Sequence, residues 1–495
     1  MTVFDKDLYS VQEARILAEA AAEAKTALAD FTQEQLDAIV SGMLDAVAPH
    51  IPVLAGQVCE ETGYGVADHK IIKDRFICES LRTALDGMQC VGVIGEEAAS
   101  HTMQIGVPVG VIAGFAPATS PVATTIFEAV IALKAGNAIV FSPHPRAEKV
   151  MARTMDLMIG GALEKGMPEG AISYIHTVAK EGAVALMGHP QVNLILNAGV
   201  PALLEAAKAT CKPLIYGGGG NGPAFIERTA DIRQAVQDIM ASKTFDNGMV
   251  SAAEQAIVVE RCIEPQVRDE FRIAGAYFMN EAEADRLGQL ITRPDGSMRP
   301  EFVGISAKAL AKRAGFEPGE GVRLLIAQGS YAMSVRPFDK DKLCPVISYY
   351  IEDDWQNACQ KCIELLFMKG GGHTLVIHSK DDYVIRQFAL KKPVARLLVN
   401  TPATLGGMGM TTDLFPSMVL GSGITGQGIT SENVSPMNLI YIRTVGWGTR
   451  SGQTAMSAYA GQKEKTTLER QAPGFTSEEL MQRVMARVLE ELDKR

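Results

Sequence analysis

A short nucleophilic side chain on a tight turn is the strongest chemical signal in this sequence. The segment KTFDNGMVSAAEQAIVVE places a polar turn, Phe245 to Gly248, at the end of a predicted helix, and Ser251 follows just before an apolar run typical of a buried strand. Such a turn presents a side chain for attack while its backbone amide stays free to stabilise an oxyanion. By pattern alone, Ser251 could equally be a small packing residue at the end of a loop.

Other segments are of types that bind cofactors or metals. Asn197-Ala198-Gly199 follows a predicted strand and opens a predicted helix, which is the setting of a pyrophosphate-binding turn, although the full G-x-G-x-x-G is absent. The glycines at 217–220 would let the backbone approach a ligand closely. Cys359 and Cys362 form a C-x-x-C inside a predicted helix, and no second pair completes a zinc site, so no metal is predicted.

The elements that carry these residues follow an α/β pattern. About the first 90 residues read as helices, with start signals at Thr32 and at Glu34 or Gln35. From about residue 104, five apolar runs alternate with amphipathic stretches, which predicts a parallel, doubly wound sheet. These runs are VGVIAGF, AIVFSP, AISYIHTV, VNLILNAG and KPLIYG. Around Pro223 the rhythm changes, and further mixed elements to about residue 440 indicate a second α/β domain.

Five segments are predicted along the chain. They are a helical layer with a dinucleotide-binding domain at 1–222, a catalytic domain at 223–433, a return and oligomerisation segment at 434–450, a linker at 451–474 and a C-terminal amphipathic helix at 475–495.

Composition limits the class of protein. The chain has 495 residues, 47% of them hydrophobic, and a formal net charge of −10 without a basic block, which argues against nucleic-acid binding. No secretory signal or long apolar run is evident, so a soluble, cytoplasmic protein that avoids membranes is expected. Its eight scattered cysteines are therefore expected to be reduced thiols.

The segment SKTFDNGMVSAAEQ resembles the SKTFDNG-x-x-C-A-x-EQ signature of coenzyme A-acylating aldehyde dehydrogenases, with Ser251 where the family has its catalytic cysteine. The closest likeness is to the aldehyde dehydrogenase half of bifunctional aldehyde-alcohol dehydrogenases. The resemblance continues through PVGVIAGFAPATSP, GNAIVFSPHPRA, NLILNAG, ARLLVNTPAT and TSENVSP, roughly residues 20 to 450 in one colinear order. It implies the aldehyde dehydrogenase fold, with a Rossmann-like cofactor domain and an α/β catalytic domain.

The resemblance also implies a reaction. A nucleophile attacks a short-chain aldehyde, hydride leaves to NAD or NADP, and the acyl group passes from an enzyme thioester to coenzyme A. The catalytic set carried over is Ser251, Thr119 and Asn247. Thr119 stands in the loop PATSP where hydrolytic relatives have an oxyanion-binding asparagine, and a hydroxyl can also donate one hydrogen bond. Gly217 falls where those relatives have the glutamate that activates water, which favours coenzyme A over water as acceptor.

Further binding residues are implied in the same way. The cofactor-binding set is Ser142, Pro143, His144, Arg146, Asn197, Gly199, Gly217 and Asp341. Arg146 could meet a phosphate or be an exposed arginine at a helix start, and Asp341 could reach a ribose or be a solvated acid. Ser120 and His373 are expected to line the substrate or coenzyme A channel, without a proton-transfer role for His373.

Ser251 raises a chemical difficulty. A hydroxyl is far less acidic than a thiol, whose pKa is ~8.5, and no neighbouring base is evident in the sequence. The chain as given is therefore expected to fold and bind cofactor but to lack most acyl transfer. Two explanations fit: a cysteine-to-serine substitution made to trap a complex, which the intact surrounding motif favours, or a natural chain that has lost or changed its activity.

Two other functions stay open. A hydrolytic or phosphorylating aldehyde dehydrogenase is one, although Gly217 argues against hydrolysis. A catalytically degenerate scaffold or binding subunit is the other, and it predicts no turnover even after Ser251→Cys.

The C-terminal segment FTSEELMQRVMARVLEELDKR begins with a capping box, Thr476 and Glu479, and carries apolar residues on one face. It resembles peptides that carry enzymes into bacterial microcompartments, and it could equally pack on its own subunit or support an oligomer. A homodimer or homotetramer is expected from the family's fold, in the cytoplasm or inside a microcompartment. The specific aldehyde (acetaldehyde, propanal or sulfoacetaldehyde) and the choice between NAD and NADP are left open.

Overall fold

The computed structural model describes residues 5–329, 338, 341–368, 372–460 and 477–492. Two compact units are present: Met1–Ile94 with Ile105–Arg443, and Gly95–Gln104 with Thr444–Arg495. The first unit contains the N-terminal helices and both parallel sheets, and it carries the residues predicted to do chemistry.

The N-terminal part is helical, as predicted. Its helices are α1 Lys6–Leu28, α2 Gln33–Val47, α3 Ile51–Thr62 and α4 Ala67–Leu85. Thr32 caps α2 as predicted, and of the two candidate partners it is Gln35 that completes a capping box. One face of α1 is made of small residues, and Ala14, Ala18 and Ala21 are fully buried on it at helical spacing.

The stretch Gln33–Thr62 has the length and mean hydropathy of a membrane-crossing helix, but half of its most apolar window is buried inside the protein. It is also two α-helices joined by a 3-10 turn at Ala48–His50. Its apolar residues, among them Leu36, Ile39 and Met43, belong to the largest core cluster. The stretch is therefore explained as part of a protein core.

The first sheet is built from the five predicted apolar runs. Its strands are β3 Val111–Phe115, β4 Ala138–Phe141, β5 Ile172–Tyr174, β6 Val192–Asn197 and β7 Leu214–Tyr216, and its helices are α5 Pro121–Lys134, α6 Glu148–Leu163, α7 Lys180–Gly188 and α8 Leu204–Ala209. The strands are parallel in the order β5-β4-β3-β6-β7. This reversal of order about β3 is the doubly wound topology that the alternation predicts.

The second sheet has seven parallel strands in the order β10-β11-β12-β9-β8-β13-β14. Its strands are β8 Pro223–Ile226, β9 Ala256–Glu260, β10 Ala276–Met279, β11 Leu324–Gln328, β12 Val346–Glu352, β13 Gly372–His378 and β14 Val394–Val399. Its helices are α9 Ile232–Thr244, α10 Glu264–Ile273, α11 Glu281–Ile291, α12 Ala307–Arg313, α13 Trp355–Met368, α14 Asp382–Lys391 and α15 Ala403–Gly407. A second parallel sheet thus begins at Pro223, where the sequence predicts a second α/β domain.

A third sheet has three strands in the order β1-β2-β15, with β1 Gly92–Glu97, β2 Thr102–Pro108 and β15 Ile440–Gly446. In the second unit, α16 spans Gly452–Ala460 and α17 spans Ser477–Leu492. The predicted linker therefore begins with a helix, which its polar composition did not indicate. The predicted C-terminal helix is present, while Thr476 of its capping box and residues 461–474 lie outside the described residues.

Candidate active site

The predicted site residues converge because of how parallel strands are wound. In the first sheet β4, β3, β6 and β7 are adjacent, and the loops at their carboxyl ends carry residues 142–146, 117–120, 198–200 and 217–220. The carboxyl edge of a doubly wound sheet is where such folds bind ligands. In the second sheet, Ser251 and Asp341 precede the amino ends of β9 and β12.

These loops border one cavity of about 690 Å³ within the first unit. Eight of the predicted site residues line it: Thr119, Ser120, His144, Arg146, Gly199, Gly217, Ser251 and Asp341. The volume is in the range of sites for small molecules and cofactors. The five other predicted residues, Asn247, Ser142, Pro143, Asn197 and His373, are not among the residues found to line it.

A strained turn delivers Ser251 to the cavity. Residues 245–248 form a 3-10 turn in which Asp246 and Asn247 have φ of 48° and 53° and Gly248 has φ of 73°. Left-handed backbone is costly for residues other than glycine and needs support from its surroundings. The Asn247 side chain supplies part of it, since its amide donates to the Gly304 carbonyl at 2.7 Å. Asn247 thus holds the turn.

The second support is a buried ion cluster that the sequence analysis missed. The Asp246 carboxylate is fully buried and accepts hydrogen bonds from Lys70 Nζ at 3.0 Å and Lys73 Nζ at 2.9 Å. The backbone N–H of Val66 donates to its other oxygen at 2.9 Å. The backbone N–H of Asp246 in turn donates to His69 Nδ1 at 2.9 Å. Helix α4 thereby anchors the turn at 245–248, which precedes Ser251.

The cluster has unbalanced charge. Burial opposes ionisation of Asp246, but Lys73, Lys70 and the Val66 amide together hold the pKa of its carboxyl below the usual value. Burial raises the pKa of the neighbouring Asp74 to about 7 against the attraction of the two lysines. The pKa of Lys70 is lowered by burial and by Lys73.

The loop after β3 touches the same cluster. Lys73 Nζ also donates to Ser120 Oγ at 2.8 Å, and Lys70 Nζ donates to the Thr119 carbonyl at 3.4 Å. Thr119 and Ser120 both line the cavity, immediately before helix α5. Two adjacent hydroxyls are therefore available at the site, and Ser120 is the one in contact with a buried cation.

The glycine segment explains how the loops approach so closely. A Cβ on Gly220 would lie 2.1 Å from the Ser251 carbonyl oxygen, and one on Gly199, at φ of +108°, would lie 2.8 Å from the Gly217 carbonyl oxygen. Neither separation can exist in a folded protein without movement of backbone. Gly217 itself leaves more room, since its Cβ would lie 3.3 Å from Val419 Cγ1. The glycines therefore serve close backbone approach.

Asn197 shapes the turn after β6. It is buried, and its side-chain oxygen accepts from the backbone N–H groups of Gly199 at 3.1 Å and Val200 at 2.6 Å. This arrangement leaves Gly199 at the cavity and Asn197 behind it. The turn follows β6 as predicted, and its role in binding a pyrophosphate stays a prediction.

The loop after β4 contributes a cation at the mouth of the cavity. Arg146 is exposed, and its guanidinium lies 5.7 Å from the ring centroid of Tyr64. His144 is half-buried, and burial followed by the charge of Arg146 lowers its pKa. Ser142 and Pro143 are buried and are not among the residues found to line the cavity. Arg146 is thus placed where an anionic group could reach it.

Asp341 is the one carboxylate among the described residues found to line the cavity. Its Oδ1 accepts from Gln255 Nε2 at 3.0 Å. The side-chain oxygen Oε1 of Gln255 accepts from the buried Lys243 Nζ at 3.0 Å, and burial lowers the pKa of Lys243 to about 8. Neither Gln255 nor Lys243 forms a recognisable sequence motif with Asp341, so neither partner is predicted from the sequence.

His373 lies behind the cavity wall. It is buried, with Nδ1 2.9 Å from Thr374 Oγ1 and its carbonyl oxygen accepting from Arg396. Burial and then the charge of Arg396 lower its pKa to about 3. A Cβ on Gly220 would lie 3.3 Å from its Cγ, so His373 backs the same glycine that packs on Ser251.

No base contacts Ser251 within the part of the chain that the structure describes, since its hydroxyl has no hydrogen bond there. Glu254, three residues later, is buried and accepts from the Ala403 backbone N–H at 2.9 Å. It is not found to line the cavity. The reactivity of Ser251 as a nucleophile is therefore not raised by a hydrogen-bonded partner.

The cysteines do not supply a substitute. All eight are free thiols, and none is found among the residues lining the cavity. Cys359 and Cys362 lie in the body of α13, as predicted. Across the described residues, no group of three or more His, Cys, Asp or Glu side chains could hold a metal ion.

Comparison with known proteins identifies the family. The model of the aldehyde dehydrogenase family matches residues 5–288. The chain belongs to the aldehyde dehydrogenase family. This aldehyde dehydrogenase is 37% identical to the bifunctional aldehyde-alcohol dehydrogenase of Escherichia coli over 88% of this chain and 49% of that one. The chain spans about half the length of the bifunctional relatives that it matches.

Solved structures agree with the family assignment and the fold. An acetylating aldehyde dehydrogenase from Geobacillus thermoglucosidasius superposes with a TM-score of 0.88 at 38% identity, over 91% of this chain and 99% of that one. A propionaldehyde dehydrogenase from Rhodopseudomonas palustris, with bound coenzyme A and an acylated cysteine, superposes with a TM-score of 0.79 at 25% identity, over 88% of this chain and 97% of that one. The resemblance to acylating aldehyde dehydrogenases and the predicted fold class are thereby confirmed.

Proposed function

We propose that this aldehyde dehydrogenase is of the coenzyme A-acylating type, in which an aldehyde, coenzyme A and NAD or NADP give an acyl-coenzyme A and the reduced dinucleotide. The observation that carries the proposal is the single cavity bordered by Ser251, Thr119, Ser120, Gly199 and Gly217. It brings the nucleophile position, two hydroxyl donors and a glycine-lined wall together.

The wall of the cavity suits a dinucleotide. At Gly199 and Gly217 the backbone of two loops meets so closely that a side chain on Gly199 could not be accommodated, which leaves N–H groups and carbonyls rather than side chains at the surface. Arg146 offers a cation to a phosphate, and Asp341 offers a carboxylate to ribose hydroxyls. A bound nicotinamide would supply a hydride acceptor.

Gly217 bears on which molecule, water or coenzyme A, accepts the acyl group. Deacylation by water needs a general base, and this position carries no side chain to act as one. The one carboxylate found at the cavity among the described residues, Asp341, already accepts a hydrogen bond from Gln255. A thiol acceptor needs less activation than water, which supports coenzyme A.

Ser251 decides whether the chain turns over. The hydroxyl has no hydrogen-bonded base among the described residues, so attack on an aldehyde is expected to be slow. We expect the protein with Ser251 to bind cofactor and to show little or no acyl transfer. Replacing one oxygen by sulfur should restore a nucleophile with a pKa of ~8.5 or below.

The test compares Ser251→Cys with the unaltered chain and with Ser251→Ala. Formation of reduced dinucleotide is measured with acetaldehyde, propanal and sulfoacetaldehyde, each with and without coenzyme A, for NAD and NADP. Turnover that requires coenzyme A and appears only in Ser251→Cys is expected. If Ser251→Cys binds dinucleotide but forms no reduced dinucleotide with any combination of aldehyde, coenzyme A and dinucleotide, the acylating function is refuted and a scaffold or binding role takes its place.

The state of assembly is part of the proposal. A homodimer or homotetramer in the cytoplasm is expected from the family, with α17 serving to load the enzyme into a microcompartment. In α17 the side chains of Met481, Val484 and Met485 are 65%, 58% and 62% exposed, which suits a helix that docks on a partner. Deletion of residues 475–495 should abolish co-sedimentation with shells, and unchanged loading would reject this role.

A further inference from the structure

The Lys73–Ser120 contact has a chemical use that neither residue has alone. Ser120 Oγ accepts a hydrogen bond from Lys73 Nζ at 2.8 Å. A hydroxyl oxygen that accepts from a cation has its own proton free to donate elsewhere, and the positive charge makes it a better donor. Ser120 also lines the cavity that contains Ser251.

Lys73 is held so that it cannot swing away. It is 1% exposed, and its ammonium is shared between Ser120 and the Asp246 carboxylate, which is 0% exposed. Asp246 belongs to the turn that delivers the nucleophile, so one lysine contacts both halves of the reacting site. A buried donor arranged before the reaction needs no reorganisation when charge develops.

We propose that the Ser120 hydroxyl, polarised by Lys73, donates a hydrogen bond to the oxyanion that forms when the nucleophile at position 251 attacks a carbonyl. Ser120 is then a catalytic residue and Lys73 a positioning residue. The assignment deepens the proposed function, because it concerns the acyl-forming step of that reaction. It differs from the sequence-based expectation, which gave the oxyanion role to Thr119.

Lys70 provides a matched control. It is buried to the same extent as Lys73 and pairs with the same Asp246 oxygen, but it contacts the Thr119 carbonyl instead of a hydroxyl. Replacing either lysine by methionine removes one buried ammonium from the cluster. Only the change at Lys73 removes the partner of the Ser120 hydroxyl.

The experiment uses two reagents on the thiol of Ser251→Cys. With p-nitrophenyl acetate, the thiolate attacks the ester carbonyl through an oxyanion, p-nitrophenolate leaves and a thioester remains on the protein. With iodoacetamide, the same thiolate displaces iodide without forming an oxyanion. Neither reaction needs a dinucleotide or coenzyme A, so failure of the dehydrogenase function does not affect the test.

The ratio of acylation rate to alkylation rate is the readout. Removing one oxyanion donor typically costs ~100-fold or more, so in the Ser251→Cys background we expect Ser120→Ala to lower the ratio by at least about tenfold. Lys73→Met should lower it comparably, while the double variant should be no lower than Ser120→Ala alone. Ser120→Thr, which keeps a hydroxyl, should retain most of the ratio, and Lys70→Met should stay near the parent.

Several results would overturn the assignment. Equal slowing of both reactions in Lys73→Met would show that the lysine only supports the fold around the thiol. An unchanged ratio in Ser120→Ala would remove Ser120 from the oxyanion site, and this variant leaves the ion cluster intact. A tenfold fall in Thr119→Val without one in Ser120→Ala would return the role to Thr119.

Discussion

The buried cluster around Asp246 makes a quantitative prediction about stability. In Asp246→Asn the amide oxygen can still accept from the Val66 backbone N–H, so the main loss is the negative charge. Lys70 and Lys73 are 2% and 1% exposed, and both would lose the carboxylate they contact directly, leaving Asp74, whose pKa burial raises to about 7, as the nearby acid of the cluster. Removing one partner of a buried ion pair costs ~3–5 kcal/mol, and we expect a loss in this range.

The assay is unfolding in urea, monitored with two spectroscopic probes. The shift in midpoint is converted to a change in the free energy of unfolding, provided that its dependence on urea concentration is the same in both proteins. Asp45→Asn is the control, because the Asp45–Arg82 pair is 62% and 37% exposed and should contribute less than about 1 kcal/mol. If Asp246→Asn shifts the midpoint no more than Asp45→Asn does, the cluster does not anchor the turn. Adding Lys70→Met to Asp246→Asn should recover part of the loss, since it removes one of two like charges.

Three further predictions concern the cavity wall and the histidine behind it. Gly220→Ala places a Cβ 2.1 Å from the Ser251 carbonyl oxygen, so it should lower the free energy of unfolding by at least ~1–3 kcal/mol and weaken dinucleotide binding. Gly56→Ala is the control, because its Cβ would have nothing within 4 Å and should cause neither effect. Equal effects of the two variants would count against the close approach at Gly220. Gly217→Glu in the Ser251→Cys background should permit turnover without coenzyme A, and strict dependence on coenzyme A would refute the general-base argument. Burial and Arg396 lower the pKa of His373 from 6.5 to about 3, so as pH falls the unfolded chain binds a proton at this histidine before the folded protein does. The stability that the neutral histidine contributes above pH 6.5 is therefore lost as pH falls toward 3. In His373→Gln the free energy of unfolding should fall less steeply over this pH range, and an unchanged slope would show that His373 is not linked to folding.

The sequence was sufficient for the parts of the fold that periodicity encodes. The strands of the first sheet are buried along most of their length, so they appear as continuous hydrophobic segments that a parallel sheet requires. Thr32 and Gln35 likewise form a local capping box whose partners are three residues apart. Signals of this kind lie within one stretch of chain and need no tertiary information.

The cluster around Asp246 could not be found in this way. Its lysines lie more than 170 residues from Asp246 in the sequence, on a helix whose segment DHKIIKDRF has the charged composition of a solvated surface. Charged residues are normally exposed, and the packing of α4 against α3, α5 and the turn at 245–248 makes Lys70, Lys73 and Asp74 interior. Buried charge at a site is a property of the tertiary structure.

His373 shows the limit of a resemblance carried over residue by residue. Its position in the sequence marks it as a neighbour of the channel, and the structure does place it against Gly220, which packs on Ser251. The side chain is nevertheless buried behind the glycines, with Nδ1 near Thr374. Sequence position predicts the neighbourhood of a residue, while the direction of its side chain depends on packing that no motif encodes.

The contacts that hold the site in shape do not involve the atom that would react, the side-chain oxygen of Ser251. Asp246 and Asn247 hold the turn through α4 and Gly304, and Gly220 packs on the carbonyl of residue 251, so none of these contacts uses the Ser251 hydroxyl. Loss of chemistry through the side chain at position 251 therefore need not disturb the turn at 245–248, the loop at 117–120 or the cavity. For the same reason a single exchange of oxygen for sulfur tests the chemistry alone, because both side chains would stand on a backbone fixed by other residues.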